Sequence, residues 1–168
     1  MPFTPFHFGS SLFIISIVTF LDPLALFIGS IAPDIEGITA LFILPHSNLP
    51  LHGPFHSFPG AIILGLVSGF FSFFFWKIIR INSFTYQSIQ IQFTLSNGLI
   101  SGLIGSFSHI LLDAPLYPEM NLFYPIHGNF LYQTLPFSGP YLFCVIAGFT
   151  GLIILFYKIS TKNFSQTS

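Results

Sequence analysis

The chain has 168 residues, of which 52% are hydrophobic and 5% are charged, whereas soluble domains carry roughly 25% charged residues. Residues 37–76, 81–112 and 120–157 contain no charged side chain, which excludes an ordinary soluble domain because its surface must stay hydrated. The high hydrophobicity excludes a disordered chain. A net charge of −1 leaves no basic surface of the kind that direct nucleic-acid binding requires. We therefore expect a single integral membrane domain over residues 1–168, in contact with membrane lipid.

The N-terminal part predicts a hairpin of two short or tilted helices. Residues 8–21 and 23–33 are apolar but short, and Asp22-Pro23 separates them. Proline does not continue a helix interior without a kink. Residues 38–44 either extend the second helix or form a separate apolar segment. The first residues lack the basic region and cleavage site of a signal peptide, so we expect His7 to remain in the mature protein.

Three further segments predict membrane-spanning helices, which need ~20 mostly apolar residues. They are residues 58–76, 95–116 and 138–157. Residues 45–56, rich in Pro and Gly, predict a loop, as do the polar residues 81–94, and 163–168 form a short tail. The predicted fold class is all-α: a polytopic transmembrane bundle of about four to five helices, including the N-terminal hairpin.

Small residues recur every four positions on two of these segments. Gly98 and Gly102 share this spacing on one helix, and Ala61, Gly65 and Gly69 share it on the preceding one. Such a stripe lets two helices approach closely in lipid. The other interpretation is that glycine is simply common in membrane helices.

The basic residues indicate the orientation of the bundle. Lys77 and Arg80 follow one predicted helix, and Lys158 and Lys162 follow another that lies two crossings later. Both pairs therefore lie on one face, which the positive-inside rule makes cytoplasmic. In a bacterium this predicts an integral protein of the cytoplasmic, or inner, membrane.

Histidines and acids gather at the opposite face. His52 and His56 precede one helix, and His109 and Asp113 end the next. Both pairs have the i, i+4 spacing that stacks two side chains on one helix face, as in metal-binding helices. The first pair requires Pro54 to lie in a first helical turn, where proline is tolerated.

The N-terminal hairpin brings further candidates to the same face if it starts and ends there. These are His7, Asp34 and Glu36. Acids without neighbouring bases need another cation, and imidazole with carboxylate suits Zn²⁺, with Mn²⁺ or Fe²⁺ as alternatives. The candidates exceed the four ligands of one structural zinc, which favours an open catalytic site or two ions.

Other polar residues are interpreted more simply. His46 is expected to hydrogen-bond or face solvent, and His127 is either a helix contact or a ligand. Asp22 fits a helix start at the interface. Glu119 is either an exposed loop acid or an outer ligand. Cys144 is a lone thiol in an apolar run and is expected to be buried and inert.

Four blocks of sequence resemble the LexA-binding, inner-membrane-associated hydrolase family, also called YdjM-like membrane-bound metal-dependent hydrolases. The blocks are MPFTPFHFG (1–9), APDIEG (32–37), LHGPFHSFPGA (51–61) and SHILLDAPLYPEMNLFYPI (108–126). Within the last block, Tyr117 and Glu119 stand where family members often have His and Asp. The resemblance implies that the metal-site residues are His7, Asp34, Glu36, His52, His56, His109 and Asp113.

These observations favour a membrane metal-dependent hydrolase that acts on a phosphoester or lipid-linked substrate at the membrane boundary. Asp34, Glu36 or Asp113 would act as base or ligand. The alternative is a non-enzymatic metal-binding transporter or a scaffold for another protein, and haem ligation by paired histidines is a third hypothesis. The sequence contains no phosphate-binding glycine loop and no nucleophile elbow.

Overall fold

The computed structural model describes residues 6–43, 50–86 and 89–165. Within these ranges the α-helices are α1 His7–Ile17, α2 Pro23–Ile31, α3 Ile35–Ile38, α4 Phe58–Ile78, α5 Leu95–Asp113 and α6 Gly139–Ser165. A 3-10 turn, Ala32–Asp34, joins α2 to α3, and the π-helical segment Thr39–Ile43 continues α3. A second 3-10 turn, Pro54–His56, precedes α4. The strands are β1 Ser83–Tyr86 and β2 Ile89–Gln92.

Four helical stretches are long and apolar enough to cross a membrane: Pro23–Ile43, Phe58–Ile78, Leu95–Asp113 and Gly139–Ser160. Large apolar side chains such as Phe71, Phe149 and Phe156 are exposed on their outer surfaces, whereas many of the buried residues are serine, histidine or aspartate. A polar interior with an apolar exterior is stable only in lipid. The predicted all-α membrane bundle is confirmed.

The N-terminal hairpin is formed by α1 and α2 as predicted. Asp22 caps α2, because its carboxylate accepts hydrogen bonds from the backbone of Leu24 and Ala25 at 2.9 and 3.2 Å. The same carboxylate accepts the Ser72 hydroxyl at 2.6 Å and the Trp76 indole N–H at 3.1 Å, both from α4. Asp22 therefore ties the hairpin to the spanning helices.

Replacing Asp22 with alanine is expected to lower the free energy of unfolding by about 2 kcal/mol. Loss of a helix cap costs about 1 kcal/mol, and each lost interhelical hydrogen bond in a membrane costs about 0.6 kcal/mol. Thermal unfolding of the purified protein in detergent measures the change. Asp22→Asn is the matched control and should lose less, because asparagine caps a helix equally well. Equal stability of Asp22→Ala and wild type would refute this structural role.

The small-residue stripes on α4 and α5 meet each other. A Cβ added at Gly102 would overlap the carbonyl oxygen of Gly65, and one added at Gly98 would lie 2.8 Å from the carbonyl oxygen of Gly69. α5 also packs against α2, and α1 packs against α6. The close-packing interpretation of these glycines is therefore confirmed, and α5 lies at the centre of the bundle.

Two predicted segments differ from the structure. The polar segment 81–94 contains an antiparallel hairpin in which Ser83 pairs with Gln92. Polar and apolar residues alternate along both strands, and this pattern favours extended pairing. α6 continues to Ser165, beyond the predicted start of the tail at 163, because the residues after 157 remain compatible with a helix.

Candidate metal centre

Four buried side chains from three parts of the chain meet at one end of the bundle. Asp34 comes from the 3-10 turn after α2, His56 from the turn before α4, and His109 and Asp113 from the last turns of α5. The Nε2 atom of His109 lies 3.4 Å from Oδ2 of Asp113 and 3.6 Å from Oδ1 of Asp34. The Nε2 atom of His56 lies 3.8 Å from the same Asp34 oxygen.

This cluster could hold a metal ion. One ligand atom from each of the four residues lies within 4.8 Å of the other three. Metal bonds of ~2.0–2.1 Å place tetrahedral ligand atoms ~3.4 Å apart, so the separation of His109 and Asp113 already matches, and the remaining ligand atoms, up to 4.8 Å apart, would move closer on binding. Two imidazoles with two carboxylates are also a donor set that suits a divalent transition metal.

The Nδ1 atom of each cluster histidine donates a hydrogen bond to an oxygen outside the four-residue cluster. Nδ1 of His56 donates to Oε2 of Glu36 at 2.9 Å, and Nδ1 of His109 donates to the carbonyl oxygen of Ser30 at 2.7 Å. Among the described residues, neither buried Nε2 atom has a hydrogen-bond partner. In its neutral form each ring therefore directs the Nε2 lone pair into the cluster, as metal-bound histidines do.

Glu36 contacts His56 on the Nδ1 side of its ring. Its Oε2 also accepts the backbone N–H groups of Gly53 at 2.9 Å and His56 at 3.3 Å. The three donors fix the carboxylate and the turn that carries His56. The sequence prediction grouped Glu36 with the ligands, whereas this geometry lets it orient a ligand.

His7 and His52 adjoin the four-residue cluster. His7 stacks on His109 with 3.9 Å between ring centroids, and its Nε2 lies 3.4 Å from Oδ1 of Asp113. His52 meets His56 edge to face at 4.8 Å between centroids. The structure thus brings all seven predicted metal-site residues to one place.

The predicted helical pairing of His52 and His56 is wrong, although that of His109 and Asp113 is confirmed. His52 lies in a bend, Pro54–His56 forms a 3-10 turn, and α4 begins only at Phe58. Gly53 and Pro54 favour a turn here because glycine is flexible and proline fixes its φ angle. This turn, rather than a helix, brings the rings of His52 and His56 into contact.

The charges near the site favour a bound cation. Burial opposes the charged form of His56, but the neighbouring carboxylates of Asp34 and Glu36 outweigh it and raise its pKa to about 9. Burial and the neighbouring His56 lower the pKa of His52, against the opposing effect of Glu119. Positive charge is therefore stabilised among the carboxylates, while His52 tends to stay neutral.

Residues outside the predicted set of metal-site residues also contact the site histidines. Oε1 of Glu119 accepts a hydrogen bond from Nδ1 of His52 at 2.7 Å, and Tyr117 stacks on His52 at 4.0 Å between centroids. The sequence left Glu119 open between an exposed loop acid and an outer ligand. The contribution of the Ser30 carbonyl could not be predicted, because every residue carries a backbone carbonyl. Burial raises the pKa of Tyr117, which stays neutral.

The remaining candidates lie elsewhere. His127 is exposed, and Cys144 is buried as expected. Asp22 lies at the hairpin turn and bonds to α4. His46 falls outside the described residues.

The fold and the cluster together define a polytopic α-helical membrane protein with a buried His/Asp group able to hold a metal ion. The sequence profile of the YdjM inner membrane protein family matches residues 6–166, so the chain belongs to that family. It is an integral protein of the inner membrane, as predicted. No curated protein and no solved structure matches the chain at a significant level.

Proposed function

We propose that this protein is a membrane-embedded, metal-dependent hydrolase. The observation that carries the proposal is the buried cluster of Asp34, His56, His109 and Asp113, whose two Nε2 atoms point inward and lack partners among the described residues. Burying such groups costs free energy unless they are paired or bind a metal. Intramembrane ionisable groups of this kind usually mark functional sites.

The two histidines and one aspartate of the cluster would hold a divalent cation, with Zn²⁺ as the best fit to imidazole and carboxylate, and would leave its fourth position to water. When bound, the cation supplies Lewis-acid chemistry, since it acidifies water and polarises the bond to be cleaved. The other aspartate of the cluster, Asp113 or Asp34, would accept the proton that this water releases. Glu36 orients His56, and Ser30 orients His109.

The surroundings of the cluster support a phosphoester or lipid-linked substrate. The ligands lie where α5 ends and α4 begins, near a membrane boundary. An apolar groove of about 330 Å³ runs past Glu36 and is lined by Ile35, Thr39 and Phe55. Ile35 is exposed on the spanning segment, so a lipid chain could reach this groove from the bilayer.

Transport is a weaker interpretation of the same cluster. A transported ion needs ionisable groups along its path, yet residues 139–157 of α6 contain no acid, base or histidine. The carboxylate of Asp22 lies near the other end of α4, where it is engaged by the α2 backbone, Ser72 and Trp76. Its contacts are those of a structural cap.

Asp113→Asn is expected to lower kcat for a hydrolysed ester by at least about 100-fold, the usual contribution of a proton acceptor. Zinc-loaded protein in detergent is assayed with a p-nitrophenyl phosphodiester and a p-nitrophenyl carboxylic ester. A chelator should abolish the activity and added zinc should restore it. His127→Ala is the matched control and should retain full activity. Metal-loaded protein that hydrolyses neither probe would contradict the proposal and favour a non-enzymatic role.

A further inference from the structure

The four cluster residues are buried, each at most 3% exposed, so a substrate must reach them through a passage in the bundle. A cavity of about 10 Å³ adjoins the cluster on one side. It is lined by Asp113 of the cluster, by His7 of α1, and by Pro140 and Tyr141 at the start of α6. This side of the cluster therefore faces the contact between α1 and α6.

An apolar groove of about 250 Å³, the α1–α6 groove, lies between residues 6–12 and residues 144–152. Phe6 and Cys144 line both this groove and the small cavity beside Asp113. The Phe6 ring packs edge to face on Tyr141, with 5.3 Å between ring centroids. The groove and the cavity thus share a wall of side chains, and a movement of the Phe6 ring would connect them.

The α1–α6 groove offers apolar contacts. A Cβ added at Gly9 would overlap the carbonyl oxygen of Cys144, and one added at Gly148 would lie 3.1 Å from Cα of Gly9. The two helices therefore meet backbone to backbone at these glycines, which also line the groove. The larger side chains that line it are Phe8, Leu12, Val145, Phe149 and Leu152. Such a lining suits an alkyl chain rather than a polar molecule.

The groove also has the direction of a lipid chain in one leaflet. Cys144 lies beside the metal centre, and Leu152 lies eight residues further along α6, which corresponds to about 12 Å at 1.5 Å per residue. The hydrocarbon of one leaflet is ~15 Å deep, half of the ~30 Å core. Because the cluster lies near a membrane boundary, a chain that points from there toward the bilayer centre has its head group beside Asp113.

The groove past Glu36 leads to a different part of the site. Glu36 orients His56, and none of the described residues that line that groove belongs to the four-residue cluster. The cavity that adjoins the α1–α6 groove is lined by Asp113 itself. The approach between α1 and α6 is therefore the more direct one.

We propose that the substrate is a lipid with a phosphoester head group that enters from the bilayer between α1 and α6. Its alkyl chain lies in the α1–α6 groove, and its head group passes Phe6 and Cys144 to reach the metal centre at Asp113. This inference rests on the proposed function, because it gives the substrate class and the entry route of that hydrolytic site.

Photolabelling locates the chain without any turnover. Zinc-loaded protein in phosphatidylcholine nanodiscs is labelled with a hexadecylphosphonate that carries a diazirine near its chain end, and in parallel with the matched diazirine hexadecanol. Because only the phosphonate can bind the metal, it should label residues 145–152 about tenfold more than the alcohol does. A chelator should remove this preference. Equal labelling by both probes, or phosphonate labelling concentrated at Ile35, Thr39 and Phe55, would overturn the route.

Val145→Trp tests the groove during turnover, because Val145 is 40% exposed and an indole there would occupy the space of the chain. The substrates are the hexadecyl and methyl esters of p-nitrophenyl phosphate, which differ only in the chain. Wild type should have the higher kcat/KM for the hexadecyl ester. The variant should lower this preference about tenfold, the effect of losing roughly two buried methylene groups. Val67→Trp, a matched change on the exposed surface of α4, should keep the wild-type preference.

The outcomes separate this inference from the proposed function. Equal kcat/KM values of wild type for the two esters, or a wild-type preference in Val145→Trp, would overturn the entry route and leave the hydrolase intact. Phosphonate labelling of the α1–α6 groove without hydrolysis of either ester would support the lipid route and overturn the hydrolase.

Discussion

The double variant His56→Ala/His109→Ala is expected to lose stoichiometric zinc, with affinity falling by at least about 10⁴-fold. Zinc sites of four ligands bind with ~10–16 kcal/mol, so each ligand contributes about 3 kcal/mol, and every 1.4 kcal/mol is a factor of ten. Both rings are fully buried, and both direct Nε2 toward Asp34. Their removal leaves two carboxylates, which cannot hold the ion alone.

Metal content of the detergent-purified variant measures this loss, with His127→Ala purified in parallel as the control for histidine number. Size-exclusion chromatography establishes that the variant remains folded. Glu36→Gln separates ligation from positioning, because the amide oxygen can still orient His56 and zinc should be retained. Full zinc retention by the double variant would show that the cluster is not the metal centre.

Gly102→Ala is expected to destabilise the bundle by about 3 kcal/mol, at the upper end of the cost of overpacking. The added Cβ would overlap the backbone carbonyl of Gly65 and lie 2.9 Å from the backbone nitrogen of Gly69. Backbone cannot rotate away as a side chain can, so α4 and α5 must separate. Because α5 carries His109 and Asp113, the variant should also bind zinc more weakly.

The sign of the change in stability on Gly→Ala substitution distinguishes the effect of packing from that of helix propensity. Alanine is favoured over glycine in a helix by about 1 kcal/mol, so an unobstructed Gly→Ala change should be neutral or stabilising. Gly139→Ala is the matched control, since its Cβ would meet neighbours only at an ordinary 3.6 Å. Thermal unfolding in detergent should show a lower melting temperature for Gly102→Ala alone. Equal melting temperatures would contradict the close helix contact.

The parts of the site that depend on local geometry could be predicted from the sequence. His109 and Asp113 meet because helical spacing alone places them on one face. The Asp22-Pro23 pair indicates the turn of the N-terminal hairpin, since a capping residue before proline is a strong helix-start signal. The glycine stripes indicated which helix faces pack together.

The parts that depend on tertiary structure could not be predicted. Glu36 reaches His56 across 20 positions of sequence, and no periodicity encodes such a contact. His52 and His56 were assigned to a helix because spacing was weighed above the turn preference of Gly53 and Pro54. Glu119 lies in a loop, where the sequence gives few constraints on side-chain direction.

The metal content of the wild-type protein tests the central claim most directly. Protein purified in detergent without chelators and loaded with zinc should retain at least one equivalent per chain, and X-ray absorption should show nitrogen and oxygen ligands that include at least two imidazoles. Protein that retains no stoichiometric zinc, manganese or iron, or whose metal lacks imidazole ligands, would contradict the assignment of Asp34, His56, His109 and Asp113 as a metal centre.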